Sequence, residues 1–153
     1  MNSTYRKLTY TITTLLISSI AMYFYTASLV SGVGYYNKYD LGDGLFDSAI
    51  ELLIYLGLST FFLQKIIEKN WRIVVVTFLY LVVLQELFFN LAFSLRIEFG
   101  TTWTDMEVRF GLVLHYKKTY VLLSVSAIIY YLLLRFLRIK NTLDETLINH
   151  KKT

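Results

Sequence analysis

Charged residues along this chain gather in clusters that separate four long apolar stretches. Residues 8–37 carry no charge at all, which exceeds the roughly 20 residues a helix needs to cross a hydrocarbon core of about 30 Å. The second stretch covers 44–64, interrupted by Asp47 and Glu51; the third covers 73–95, interrupted only by Glu86. The fourth runs over 119–137 and meets Arg135 near its end, where a long cationic side chain can snorkel to the interface. Backbone polar groups in lipid have to be satisfied within their own segment, so each stretch predicts a helix rather than an isolated strand. The expected architecture is an all-α membrane protein forming one domain over 1–153. It is a four-helix transmembrane bundle with spans at about 10–31, 45–65, 72–95 and 117–138.

The distribution of Lys and Arg orients this bundle, because basic residues are retained on the cytoplasmic side of short loops. Arg6 and Lys7 precede the first span; Lys65, Lys69 and Arg72 lie between the second and third; Arg135, Arg138, Lys140, Lys151 and Lys152 follow the fourth. The other side holds Lys38, Arg96, Arg109, Lys117 and Lys118, together with most of the acids. Both termini are therefore expected in the cytoplasm, in a bacterial-type plasma membrane. Interfacial aromatics fit the same boundaries, with Tyr35, Tyr36, Tyr39, Trp103, Tyr116 and Tyr120 outside and Tyr5, Tyr10 and Trp71 inside. The first stretch is too long for the h-region of a cleaved signal peptide and lacks a clear small-x-small site, so it is read as a retained span. Thr104 and Glu107 match a capping box, from which helix four is expected to run without interruption from Asp105 to Arg138 and to extend on the outer side. Thr142 and Glu145 match a second box, which predicts a separate short helix near the C-terminus.

Composition narrows the function. With 56% hydrophobic and 17% charged residues the chain is too apolar for a nucleic-acid binder or a disordered segment, and its net charge of +4 belongs to the membrane interface. Zero Cys removes disulfides, thiolate nucleophiles and iron–sulfur ligation. His115 and His150 are too far apart in the sequence plan for a zinc site. No P-loop, nucleophile elbow or H-E-x-x-H pair is present. Zero Pro argues against the broken helices of alternating-access carriers. No cofactor or metal is expected, and no enzyme activity.

The two carboxylates inside spans remain to be explained. A charged group at the centre of a spanning helix costs about 2.5 to 3.5 kcal/mol on insertion scales, so Glu86 is expected to face protein or water. Asn90 lies one turn on; Asp47, Glu51 and Tyr55 are spaced i, i+4, i+8 on span two. Thr11, Thr14, Ser18, Ala21, Tyr25, Ser28 and Gly32 form a seam of mostly small or hydroxylated residues on span one, suited to close helix contact in lipid. These patterns predict that Tyr25, Glu51, Tyr55, Glu86 and Asn90 converge in the outer half of the bundle, with Arg96 or Arg109 as counter-charge at its mouth.

Such a cluster supports a structural reading, hydrogen-bonded carboxyls holding helices two and three in register, and an ionic one, a proton or cation site. Asp40, Asp43 and Asp47 read as an N-cap region before a calcium site, Tyr130 and Tyr131 as packing residues, and His115 as a solvated interfacial residue. The basic clusters of the inner face fit anionic headgroups as ordinary topology. The functional expectation is a non-enzymatic, membrane-embedded subunit or scaffold of a larger assembly, in contact with lipid and with a protein partner or further copies of itself. An oligomeric proton or cation channel is the alternative, and an intramembrane enzyme acting on lipid with Glu51 and Glu86 as acid and base is the third class.

Overall fold

The computed structural model describes residues 3–30, 38–95, 104–109, 113 and 117–150. Among them there is no strand: α1 (Ser3–Val30), α2 (Lys38–Phe61), α3 (Leu63–Glu68), α4 (Asn70–Leu95), α5 (Asp105–Val108) and α6 (Lys117–His150) follow one another. Four helical segments are long and apolar enough to cross a membrane: Ser3–Val30, Gly42–Phe61, Asn70–Leu95 and Lys117–Leu143.

The side chains that join the helices fix their directions. Ser48 of α2 donates to the Leu87 carbonyl of α4, and further along Tyr55 donates to the Val76 carbonyl, so α2 and α4 are antiparallel. Ser18 meets Tyr80 and Tyr25 meets Phe88, so α1 and α4 run parallel. Tyr130 and Arg138 of α6 meet Tyr80 and Asn70 of α4 in reverse order. We call the end holding Ser3, Phe61, Asn70 and Leu143 the terminal end, and the end holding Val30, Gly42, Leu95 and Lys117 the far end. The seam on α1 faces inward through Thr14, Ser18, Ala21 and Tyr25, all buried. The outward faces carry Ile20 and Phe24 of α1, Leu58 and Phe61 of α2, Phe78 and Val82 of α4, and Ile128 and Leu132 of α6. A surface this apolar is a liability in water and an ordinary one in hydrocarbon.

Close contact between α2 and α4 depends on small residues. A Cβ on Gly44 would lie 2.2 Å from the Ser94 hydroxyl oxygen and 2.8 Å from the Asn90 carbonyl oxygen. One turn on, the buried Ser48 continues the same contact. Gly57, the glycine well inside a span, has nothing within 4 Å of its Cβ position and allows no such approach.

Two expectations about element boundaries are corrected. Span two does not run straight to residue 65. Phe62, at φ −90° and ψ 4°, bends the chain while Phe62 N–H to Leu58 O (3.1 Å) and Ile66 N–H to Phe62 O (3.0 Å) keep the ladder closed. The bend turns Leu63, Ile66 and Ile67 of α3 into the core. Whether one helix runs from Asp105 to Arg138 rests on residues 110–112 and 114–116, which lie outside the described residues. The capping box at Thr104 forms, with its N–H and hydroxyl on Glu107 Oε2 at 2.6 and 3.0 Å, and starts α5; α6 begins at Lys117. Val108 and Val113 are fully buried. At the terminal end no separate helix starts at Thr142: α6 continues unbroken through Thr142 to His150, and the Thr142 hydroxyl donates back to the Arg138 carbonyl at 3.2 Å rather than capping a new helix.

The cap on α5 is pH-dependent. The Thr104 N–H and hydroxyl hold the Glu107 carboxyl below its usual value. Its contribution is complete above the ordinary Glu pKa and is lost as pH falls through the lowered folded value.

Gly44→Ala is expected to destabilise the fold by about 1 to 3 kcal/mol, because a backbone carbonyl has to move. Gly57→Ala is expected to be neutral or stabilising by up to about 1 kcal/mol. Thermal unfolding of the two variants in the same detergent checks the difference; equal melting temperatures would contradict the close approach.

Candidate functional site

A tyrosine within an apolar span brings a hydroxyl that cannot reach water and has to find a partner inside the protein. Each of the four long helices contributes one such residue to a single cluster. Tyr10 of α1, Tyr80 of α4 and Tyr130 of α6 are fully buried, and Tyr55 of α2 packs against them. The Tyr130 hydroxyl lies 2.6 Å from that of Tyr10 and 2.7 Å from that of Tyr55. Tyr55 donates to the Val76 carbonyl at 3.3 Å. Each hydroxyl has one proton, so Tyr55 accepts from Tyr130, which accepts from Tyr10. The resulting chain crosses α1, α6, α2 and α4 and ends on a backbone oxygen. Beside it the Tyr80 ring stacks on Tyr130 at 4.2 Å between centroids, inclined by 14°, and its hydroxyl bonds Ser18 at 3.0 Å.

The second polar feature lies towards the far end. Arg109, just beyond α5, donates from Nη1 to Glu86 Oε1 at 2.5 Å, with its guanidinium carbon 4.1 Å from the centre of the Phe89 ring. Nine residues separate Glu86 from Leu95 at the end of α4, placing the carboxylate about 14 Å along the helix axis from that end. The Arg109 and Glu86 side chains are 31% and 37% exposed, so the pair sits at the protein surface rather than in its interior. Its charges cancel and its remaining edge faces outward.

The five side chains expected to converge do not form one cluster. Tyr25 is buried and stacked on Phe88 at 4.3 Å and 10°. Tyr55 belongs to the tyrosine chain. Asn90 lies at the α2–α4 contact, where its carbonyl accepts from Ser94 at 3.0 Å and its side-chain Nδ2 is buried without a hydrogen-bond partner. Glu51 is exposed on α2 and has no hydrogen bond or ion pair among the described residues. Geometry accounts for this: an i, i+4, i+8 stripe drifts by about 40° per step, so Tyr55 swings into the core while Asp47 and Glu51 stay outside. Leu52 and Leu56 take the buried positions. Arg96 lies outside the described residues.

Tyr10, Tyr80 and Tyr130 were not among the expected site residues. The available signal was a tyrosine within each of several spans at matching height, which a search restricted to charged groups passes over. Chemically the hydroxyl chain orders four helices; it contains no carboxylate and leads to a carbonyl. Among the described residues no group of three or more His, Cys, Asp or Glu is placed to hold a metal ion.

Tyr130→Phe removes both hydroxyl contacts and is expected to lower stability by about 1 to 3 kcal/mol, whereas Tyr131→Phe, next to it and half-buried, should change it by less than about 0.5 kcal/mol. Chemical unfolding in mixed micelles measures both, and equal effects would contradict the hydroxyl chain. Arg109→Gln leaves the Glu86 carboxylate without its cation. A lowered melting temperature, partly restored by adding Glu86→Gln, is the expected outcome. Compared with protein-family models, curated proteins and solved structures, the chain matches none.

Proposed function

We propose that this protein is a non-enzymatic, membrane-embedded subunit or scaffold of a larger assembly, a four-helix transmembrane bundle with both termini in the cytoplasm of a bacterial-type plasma membrane. The orientation follows from the terminal end, which gathers Lys65, Lys69, Arg72, Arg135 and Arg138.

Exposed Glu51 carries the reading. It stands nine residues from Gly42 and ten from Phe61, at the middle of its span, on a face that also presents Ile50 and Ile54. A carboxylate facing hydrocarbon at that height is costly, and a partner supplying a hydrogen-bond donor or a cation removes the cost. The half-exposed Glu86–Arg109 pair adds a second outward polar feature. A core tied by tyrosine hydroxyls suits a rigid element that presents such features. The same Glu51 motivates the competing reading, in which copies of the chain arrange their carboxylates around a proton or cation path.

A photo-crosslinking side chain at Ile54 is expected to give a protein–protein adduct in native membranes, weakened by Glu51→Gln. The same probe at exposed Leu132 of α6 should give none. Lipid adducts alone at both positions would contradict the subunit reading. Proton or monovalent-cation flux through liposomes containing the purified chain, abolished by Glu51→Gln, would replace it with the channel.

A further inference from the structure

At the terminal end, between the start of α4 and the last turns of α6, lies a crevice of about 340 Å³ lined by Asn70, Arg135, Arg138, Ile139, Thr142 and Leu143. Arg135 and Arg138 are one turn apart, and both aim Nη1 at the same neutral oxygen, Asn70 Oδ1, Arg135 from 3.1 Å. Two guanidiniums thus share one uncharged acceptor. Each carries five donors, so most of their hydrogen-bonding capacity is directed elsewhere. The nearest carboxylate among the described side chains at this end, Glu68, is taken up by Arg72 at 3.1 Å. The first turn of α4 begins at Asn70, and the partial positive charge of a helix start adds to the field. The crevice also carries the exposed apolar Ile139 and Leu143, and towards the middle of the span the neighbouring face of α6 continues apolar through exposed Phe136 and Leu132.

We propose that this crevice binds the phosphate of an anionic phospholipid, the two guanidiniums gripping the phosphate oxygens while an acyl chain runs back towards the middle of the span along exposed Phe136 and Leu132. Paired guanidiniums suit phosphate because their planar forks donate two parallel hydrogen bonds to its oxygens. The apolar strip of Phe136 and Leu132 selects a lipid over a free anion, since inorganic phosphate leaves it uncovered. Asn70 holds the two arginines together before the ligand arrives, which limits the side-chain ordering that binding requires. The inference needs the membrane-spanning reading but not the partner proposed for Glu51, so each can fail without the other.

Native mass spectrometry of the purified chain equilibrated with equal amounts of phosphatidylglycerol and phosphatidylcholine tests it. Retention of phosphatidylglycerol over phosphatidylcholine is expected, and Arg135→Gln with Arg138→Gln should reduce that preference by about 30-fold, each basic residue beside an anionic headgroup being worth roughly a fivefold factor. Lys65→Gln with Lys69→Gln removes the same charge from the same end outside the crevice and should reduce it far less. Equal loss in the two double variants, or no preference in the unaltered chain, would overturn the site. Inorganic phosphate at millimolar concentration should leave the bound lipid in place; its displacement would show an anion site without lipid selectivity and overturn the proposal as stated. If the Gln pair does not fold, Arg135→Lys with Arg138→Lys serves instead: charge is kept and the fork lost, so the preference should still fall, and an unchanged preference would count against paired guanidinium recognition.

Discussion

A single hydroxyl, that of Tyr130, ties three helices. It lies within hydrogen-bond distance of Tyr10 on α1 and Tyr55 on α2, and Tyr55 passes the chain to the α4 backbone. In hydrocarbon, apolar side chains gain little by leaving lipid for protein, so association rests on close packing and on polar groups with nowhere else to go. Both devices are present and occupy different heights. Gly44 and Ser48 bring α2 against α4 towards the far end, and the tyrosines hold α1, α2, α4 and α6 together nearer the terminal end.

The charged groups are arranged around this core and not within it. Glu86 is paired with Arg109, the residue that follows the buried Val108. Glu51 faces outward. The arginines of α6 converge on Asn70 at the terminal end. The functional proposal rests on the contrast between a hydrogen-bonded core and polar groups at the outer surface.

The four spans were legible from the sequence because the requirement for them is additive: about 20 apolar residues are needed, and each stretch supplies them whatever its neighbours do. The seam of Thr14, Ser18 and Ala21 was legible for a similar reason, being a local spacing on one helix. Relations between helices were less so. Asp47, Glu51 and Tyr55 share a stripe by counting, yet the rotation of α2 that buries Leu52 and Leu56 separates Tyr55 from the acids. The capping box at Thr104 was legible as the start of α5, because a cap is a local spacing of two residues. The tyrosine chain was hidden for a chemical reason: a lone Tyr reads as packing, and only pairing across four helices turns it into a polar site.

The dependence of the fold on shared hydroxyls is tested most directly by a double-mutant cycle on Tyr10→Phe and Tyr130→Phe, with unfolding measured in lipid-containing micelles. The account predicts a coupling of roughly 0.6 kcal/mol or more, in the range found for interhelical hydrogen bonds in membranes. Additivity of the two single effects within about 0.3 kcal/mol would contradict it.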